Sequence, residues 1–581
     1  MDPLHGYPRP QLERDAWTSL DGAWQFAFDD AARWRDPGDV VWDREIRVPF
    51  APETPASGIA DTAFHPVCWY RRTFDAPPAA PAERVVLHFG AVDHDAAVWV
   101  NGRAVARHEG GYTPFSADIT QHLRGDGVQT VAVRAADDPH DLAKPRGKQD
   151  WQLAPHAIWY PRTSGIWQTV WIERLPAAAV SSLRWTPDVA RWEIAFDARV
   201  DDAPRDGLRL RVELRVRDRL LADDTYAVLE GEVSRRIALP DPGIGDARAA
   251  LLWSPSSPTL IDARVTVLDA AGNALDRVRS YTAIRSVTID GGAFLLNGDP
   301  YRPRMVLDQG YWPESGLTAP SDGALRRDVE LAKAMGFNGV RKHQKIEDPR
   351  YLSWADRLGL LVWEEMPSAY RFTPRAVARL TREWLAAVER DYSHPCIVAW
   401  VPFNESWGVP GMTSDAAQRD AVRALYRLTK SLDPTRPVID NDGWEHVATD
   451  IITVHDYETD PDALERRYGT AGGPPDVGPH GHRLTLDGFR PDGRPVMLSE
   501  FGGIAWSNDP DRTWGYARVH SSEDLAARYE GLLRAVHAVP SFAGFCYTQF
   551  ADTYQEANGL LFADRTPKFP LAQMKAITRG R

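Results

Sequence analysis

Ile397-Val398-Ala399-Trp400-Val401-Pro402-Phe403-Asn404-Glu405 is a run of bulky and β-branched side chains that ends on an acid. Such a run reads as a strand covered on both faces, with the acid at its exit rather than in the core. Pro495-Val496-Met497-Leu498-Ser499-Glu500 repeats the pattern. Outward from this pair, strand-like runs begin near Arg302, Phe337, Leu360, Ile397, Pro437, Ile451, Val496 and Ala543, with helical patterns between most of them. Eight parallel strands alternating with helices close a (β/α)8 TIM barrel. Ser321 to Met335 is one such helix, with a Ser N-cap, apolar residues at Leu325, Val329, Ala332 and Met335, and Gly336 as the stop. Ser522 to Val539 is another, whereas Asp442 to Asp450 is too short for a helix.

Upstream the grammar is different. Short alternating strands and turns, such as Trp69-Tyr70-Arg71-Arg72-Thr73-Phe74 and Ala97-Val98-Trp99-Val100 before Asn101-Gly102, predict a jelly-roll β-sandwich over 1–180. A second β-rich block over 181–284, with Leu208 to Leu214 and Ala263 to Val267 as strands, has the length of an immunoglobulin-like sandwich. The barrel takes 285–581, and neither β block offers a catalytic cluster. A chain of 581 residues needs several cores, in keeping with three units.

The formal net charge of −13 repels polyanions, and no basic, aromatic-interleaved stretch points to nucleic acid. A small or neutral ligand fits better, and 22 Trp supply faces for stacking on sugar rings as well as ordinary core. Cys68, Cys396 and Cys546 are few, odd in number and without metal or redox spacing, so reduced, mostly buried thiols are expected. No apolar run approaches a membrane span and the first residues lack a signal pattern, so the expectation is a cytoplasmic protein with no membrane partner. A leader removed beforehand would make it secreted or periplasmic.

On a barrel, Glu405 after strand four and Glu500 after strand seven fall on the C-terminal face, where barrel enzymes carry their sites. Two carboxylates ~5 Å apart are what a retaining glycosidase needs, one as nucleophile and one as acid then base. The bland alternative is a pair of solvated rim acids. Asp308, closing strand one, and Trp312 are candidates for sugar contact, by hydrogen bonds and stacking, although solvated residues are usual at a loop start. Glu364-Glu365 ends strand three, yet nothing nearby completes a coordination set, and no metal is expected.

Asn404-Glu405-Ser406-Trp407 and Ser499-Glu500-Phe501-Gly502-Gly503, together with Ser164-Gly165-Ile166-Trp167-Gln168 and Phe294-Leu295-Leu296-Asn297-Gly298, resemble glycoside hydrolase family 2. The resemblance covers nearly the whole chain. It implies Glu405 as acid/base, Glu500 as nucleophile and Asn404 as a partner of the sugar hydroxyl beside the anomeric carbon. Arg341, ending strand two, is the candidate donor to Glu500, with a surface ion pair as the other possibility. His455 and Tyr457 end strand six, where the family has a Tyr that bonds the nucleophile, and either is alternatively structural. No cofactor is needed, since two carboxylates and water suffice. The family often forms homo-oligomers.

Departures bear on the sugar. Glu556-Ala557-Asn558-Gly559-Leu560 lacks the lysine of the Asn-x-Lys element in family glucuronidases, which disfavours a glucuronide. Arg341-Lys342-His343-Gln344 departs from the strand-two stretch of family galactosidases, leaving His343 or Gln344 as substitute contacts, and Tyr547 replaces the usual Trp as candidate stacking surface. The expectation is an exo-acting, retaining, β-galactosidase-like enzyme on a small carbohydrate. The alternatives are a galactofuranoside, arabinoside, mannoside or glucuronide as substrate, or a non-catalytic carbohydrate-binding protein. The Gly-, Pro- and His-rich segment Tyr468 to Arg490 reads as a rim loop or a lid.

Overall fold

A computed structural model describes residues 5–201, 207–240, 248–469, 474–507 and 514–581. Its first layer pair is an antiparallel sandwich. Arg44–Val48, Gly22–Phe28, Val67–Asp75, Val128–Ala136, Asp95–Val100 and Arg103–Glu109 form a six-stranded sheet in that order. Trp17–Ser19, Val170–Pro176, Glu83–Phe89 and Phe115–Asp118 form the facing one. Alternate residues of each strand, among them Phe26, Tyr70, Leu87, Val98, Val133 and Ile172, point inward and make one core, as a period of two requires.

The next block is a second sandwich. Ala179–Asp188, Glu193–Asp201 and Glu232–Ala238 face Arg219–Ala227, Arg209–Val216, Ile261–Leu268 and Ala274–Thr282 across a separate core around Trp185, Phe196, Leu210 and Val265.

From Arg304 onward the chain is a TIM barrel. Arg304–Asp308, Gly339–Lys342, Leu361–Glu365 and Ile397–Val401 pair in parallel on one side. Ile452–His455, Val496–Glu500 and Phe542–Tyr547 pair on the other, and the last strand joins the first. The fifth rung is reduced to isolated parallel bridges, Trp400 to Val438 and Asn404 to Asp442. No helix follows it among the described residues, so the short connection at 442–450 leaves the ring with one helix missing. The helix Asp322–Ala334 starts where Ser321 accepts from the Ala324 N–H, and Gly336 follows its end at φ +95°. Ser521 caps Ser522–Ala538 in the same way.

The three cysteines are free and buried. No helix among the described residues is long and apolar enough to cross a membrane. Residues 470–473 of the expected rim loop lie outside the described residues; of the remainder, Pro479–Gly481 is a 3-10 turn and Thr485 bridges to His446.

Candidate active site

Strand seven ends on Glu500 itself, whereas Glu405 stands four residues beyond strand four, in a turn where Glu405 and Ser406 both take positive φ, 51° and 58°. Non-glycine residues are strained there, and the surroundings hold them. The Glu405 N–H donates to the Asp442 carbonyl at 2.9 Å, and the Ser406 N–H to Asn441 Oδ1 at 2.9 Å. The fifth rung therefore aims the Glu405 side chain at the barrel axis.

His455, the last residue of strand six, links the two acids. Its Nδ1 lies 2.7 Å from Glu405 Oε1, and its Nε2 lies 3.1 Å from Asp442 Oδ2 and 3.6 Å from Glu500 Oε1. Glu405, His455 and Glu500 each offer an atom within 4.8 Å of the others. Burial alone disfavours the imidazolium, but the charges of Glu500 and Asp442 and the bonds to Asp442 and Glu405 outweigh it and push His455 up to about 10. At neutral pH it is a cation.

Arg341 is the second cation, and it is fully buried. Its guanidinium reaches Glu500 Oε1 at 2.8 Å, Glu365 Oε2 at 2.6 Å, Asp442 Oδ2 at 2.6 Å and Asn404 Oδ1 at 2.7 Å. Four partners around one planar fork fix the nucleophile candidate and Asn404 together. Among the described residues Asn404 Nδ2 has no hydrogen-bond partner although it is buried, so a donor is left for something entering the site. Tyr457 donates to the other Glu500 oxygen at 2.5 Å, and its ring stacks on Tyr516 at 3.5 Å. Asp442 lies well below the usual carboxylate range: burial opposes this, and the charges of Arg341 and His455 prevail.

The other sequence candidates divide. His343 sits 3.0 Å from Glu365 and 3.3 Å from Arg341, and burial, with the charges of Lys148 and Arg341, holds it neutral, well below its ordinary value. Gln344 is spent on structure: its amide bonds Glu365 at 2.9 Å and Ser368 at 2.7 Å and 3.1 Å, so it is not a substitute sugar contact. Asp308 corrects the expectation too. It pairs with Lys342 at 2.6 Å and accepts the Gly310 N–H, on the strand face opposite Arg341. Successive residues of a strand alternate sides, so Arg341 faces inward and the Asp308–Lys342 pair outward.

Tyr547 fails as a stacking platform for the same reason. It is fully buried, edge-on to Phe501 and to Tyr529 of the helix outside the barrel. Trp312 is buried between Lys345 and Arg565, whose cations lie 5.1 Å and 4.9 Å from its ring.

Sequence reasoning missed Asp442 and Glu365 as members of the site. It also missed a contribution from the first sandwich. Residues 146–160 cross to the barrel mouth, where Trp159 stacks on Trp407 with ring centroids 6.0 Å apart and donates to Tyr370 at 2.7 Å. Lys148 lies over Trp407, 5.2 Å from its ring centroid, and Tyr160 donates to Glu556. The one signal in the sequence was the density of Trp, His and Tyr over 151–160, which carries no period.

The model of the glycosyl hydrolases family 2 sugar binding domain matches residues 53–172, and that of the family's TIM barrel domain matches 287–502. A β-galactosidase of Thermoanaerobacter pseudethanolicus is 27% identical over 64% of this chain, and a β-glucuronidase of Paenibacillus borealis is 24% identical over 94% of it. The chain spans 48% of the former and 92% of the latter. Among solved structures, a Bifidobacterium dentium β-glucuronidase superposes with a TM-score of 0.78 at 22% identity, covering 98% of each chain. A β-galacturonidase of Eisenbergiella tayi gives 0.75 at 21%, covering 99% of this chain and 98% of that one. With two models of the family matching in order over more than half of its length, the chain belongs to glycoside hydrolase family 2.

Proposed function

We propose that the chain is a retaining, exo-acting glycoside hydrolase that releases a terminal sugar through a covalent glycosyl-enzyme intermediate. The observation that carries this reading is the spacing of Glu405 and Glu500, with oxygens within 4.8 Å of each other. Carboxyls this close leave no room for a water between them and suit double displacement. Glu500, oriented by Arg341 and Tyr457, attacks the anomeric carbon as Glu405 gives its proton to the leaving oxygen. Glu405 then takes a proton from the water that releases the sugar. Asn404 Nδ2 is the free donor for the neighbouring hydroxyl.

The test is release of nitrophenol from a panel of α- and β-nitrophenyl pyranosides and furanosides, with a β-galactoside as the neutral reference. Glu500→Ala is expected to lower turnover by several orders of magnitude, with partial rescue by azide in place of the missing nucleophile. Glu405→Gln is expected to slow alkyl glycosides about 10²–10⁴-fold while sparing activated phenols far more. Retention of activity by Glu500→Ala would sink the assignment, and sugar binding without turnover would make the chain a carbohydrate-binding protein.

A further inference from the structure

Lys148 is held at the barrel mouth by a segment with no regular secondary structure. The N–H groups of Arg146 and Gly147 donate to the Ser368 carbonyl at 3.0 Å and 3.2 Å, and the Tyr370 hydroxyl donates to the Gly147 carbonyl. Gly147 takes φ +58°, and a Cβ there would stand 2.3 Å from the Gln344 carbonyl oxygen, so the loop lies directly on the barrel backbone. On its other side the Lys148 carbonyl accepts the Tyr160 N–H at 2.9 Å, and the Arg146 guanidinium braces the Pro139, Gln149 and Asp150 carbonyls.

The side chain so positioned is only 5% exposed, over Trp407. Among the described residues no carboxylate stands within ion-pair distance of its ammonium and no acceptor hydrogen-bonds it. Glu556 feels its charge, but the Glu556 oxygens are already taken by Tyr160 and by Asn558 Nδ2 at 3.0 Å. An ammonium brought to the barrel mouth on a backbone fixed on both sides, with no acceptor among the described residues, stands ready for a counter-charge. A partner from outside the chain would supply it.

We propose that Lys148 is a specificity-determining residue that holds an anionic group of the sugar, the carboxylate of a uronide or a sulfate ester. The proposal rests on the glycosidase reading for the location of the sugar, beside Trp407 and His343 and next to the acid pair. An oxyanion accepts charge-assisted hydrogen bonds from the ammonium and supplies the counter-charge, where a neutral hydroxyl supplies only the bond.

Calorimetric titration of the whole chain with sodium glucuronate, sodium galacturonate, galactose 6-sulfate and galactose tests this without requiring turnover. The wild type is expected to bind at least one anionic sugar tenfold or more tighter than galactose. Lys148→Met is expected to lose at least tenfold more on that sugar than on galactose, and Lys148→Arg to recover part of the loss. The uronate and sulfate arms tell the two sources apart. Galactose binding as tightly as every anion, Lys148→Met binding anions as the wild type does, or no binding of any sugar at millimolar concentration would each overturn the proposal. Loss of the catalytic assignment would show instead in the nitrophenol panel, because free sugars bind whether or not Glu500 reacts.

Discussion

His455 concentrates the electrostatics of the site in one side chain. Its folded value near 10 stands above the ordinary 6.5 because Glu500, Asp442 and Glu405 face it, in spite of burial. A group raised on folding gives stability that is complete below its unfolded pKa and lost as pH rises through the folded one. The window here runs from about pH 6.5 to 10, and the full shift corresponds to roughly 3–5 kcal/mol. Urea unfolding of the wild type is expected to weaken steadily across that window. His455→Gln is expected to start less stable at pH 6.5 and to decline less. Parallel curves for the two proteins would mean that another group carries the alkaline loss. The same cation stands against Glu405, Asp442 and Glu500, so its removal should also impair turnover at constant pH.

At the level of elements, the turn after strand seven is tight. Gly502 has φ +93°, and a Cβ there would lie 2.3 Å from Tyr547 Cε2. Gly502→Ala meets both a left-handed backbone and a buried ring, a combination expected to cost about 2–4 kcal/mol and to displace Glu500 two residues earlier. A fall in melting temperature with an equally large fall in kcat checks it; an unchanged melting temperature would show that the ring yields. Seven of the eight expected runs form strands, and they were legible because each is short, apolar and flanked by helical periods; the fifth is reduced to bridges. What was not legible was parity. The sequence offers Tyr547 as a stacking surface, but Cys546 is the residue near Arg341, and a shift of one position exchanges barrel interior for helix packing. Asp308 has the same outward parity, paired with Lys342. Lys148 was invisible for a different reason. Its loop has no period, and its place depends on Ser368, Tyr370 and Gln344, more than 190 residues away in sequence. The absence of a lysine after Asn558 therefore says little about the charge of the sugar.

For the molecule as a whole, the barrel is not an independent body. Ala91, Tyr112, Tyr160 and Trp167 of the first sandwich, and Trp253 of the second block, belong to the same core as the barrel strands. Trp253 donates to the Asp356 carbonyl at 2.8 Å, and the Trp167 carbonyl accepts from Thr318 at 2.6 Å. Arg379 of helix Pro374–Asp391 is clamped between Glu109 at 2.8 Å and Asp141 at 2.7 Å, and Glu383 of that helix accepts the Tyr112 N–H. Stripping the sandwiches would bare the barrel surface under four large aromatics, on the order of 10 kcal/mol of lost burial. That is comparable to the entire stability of an ordinary domain. A fragment spanning 285–581 is therefore expected to aggregate or to melt without a cooperative transition, while the full chain unfolds with barrel and first sandwich in one calorimetric peak. A soluble fragment with a sharp transition would mean that the shared core is a contact rather than a foundation. The hook carrying Lys148 would then be a movable attachment, and the sugar site would be complete only when the sandwich is docked.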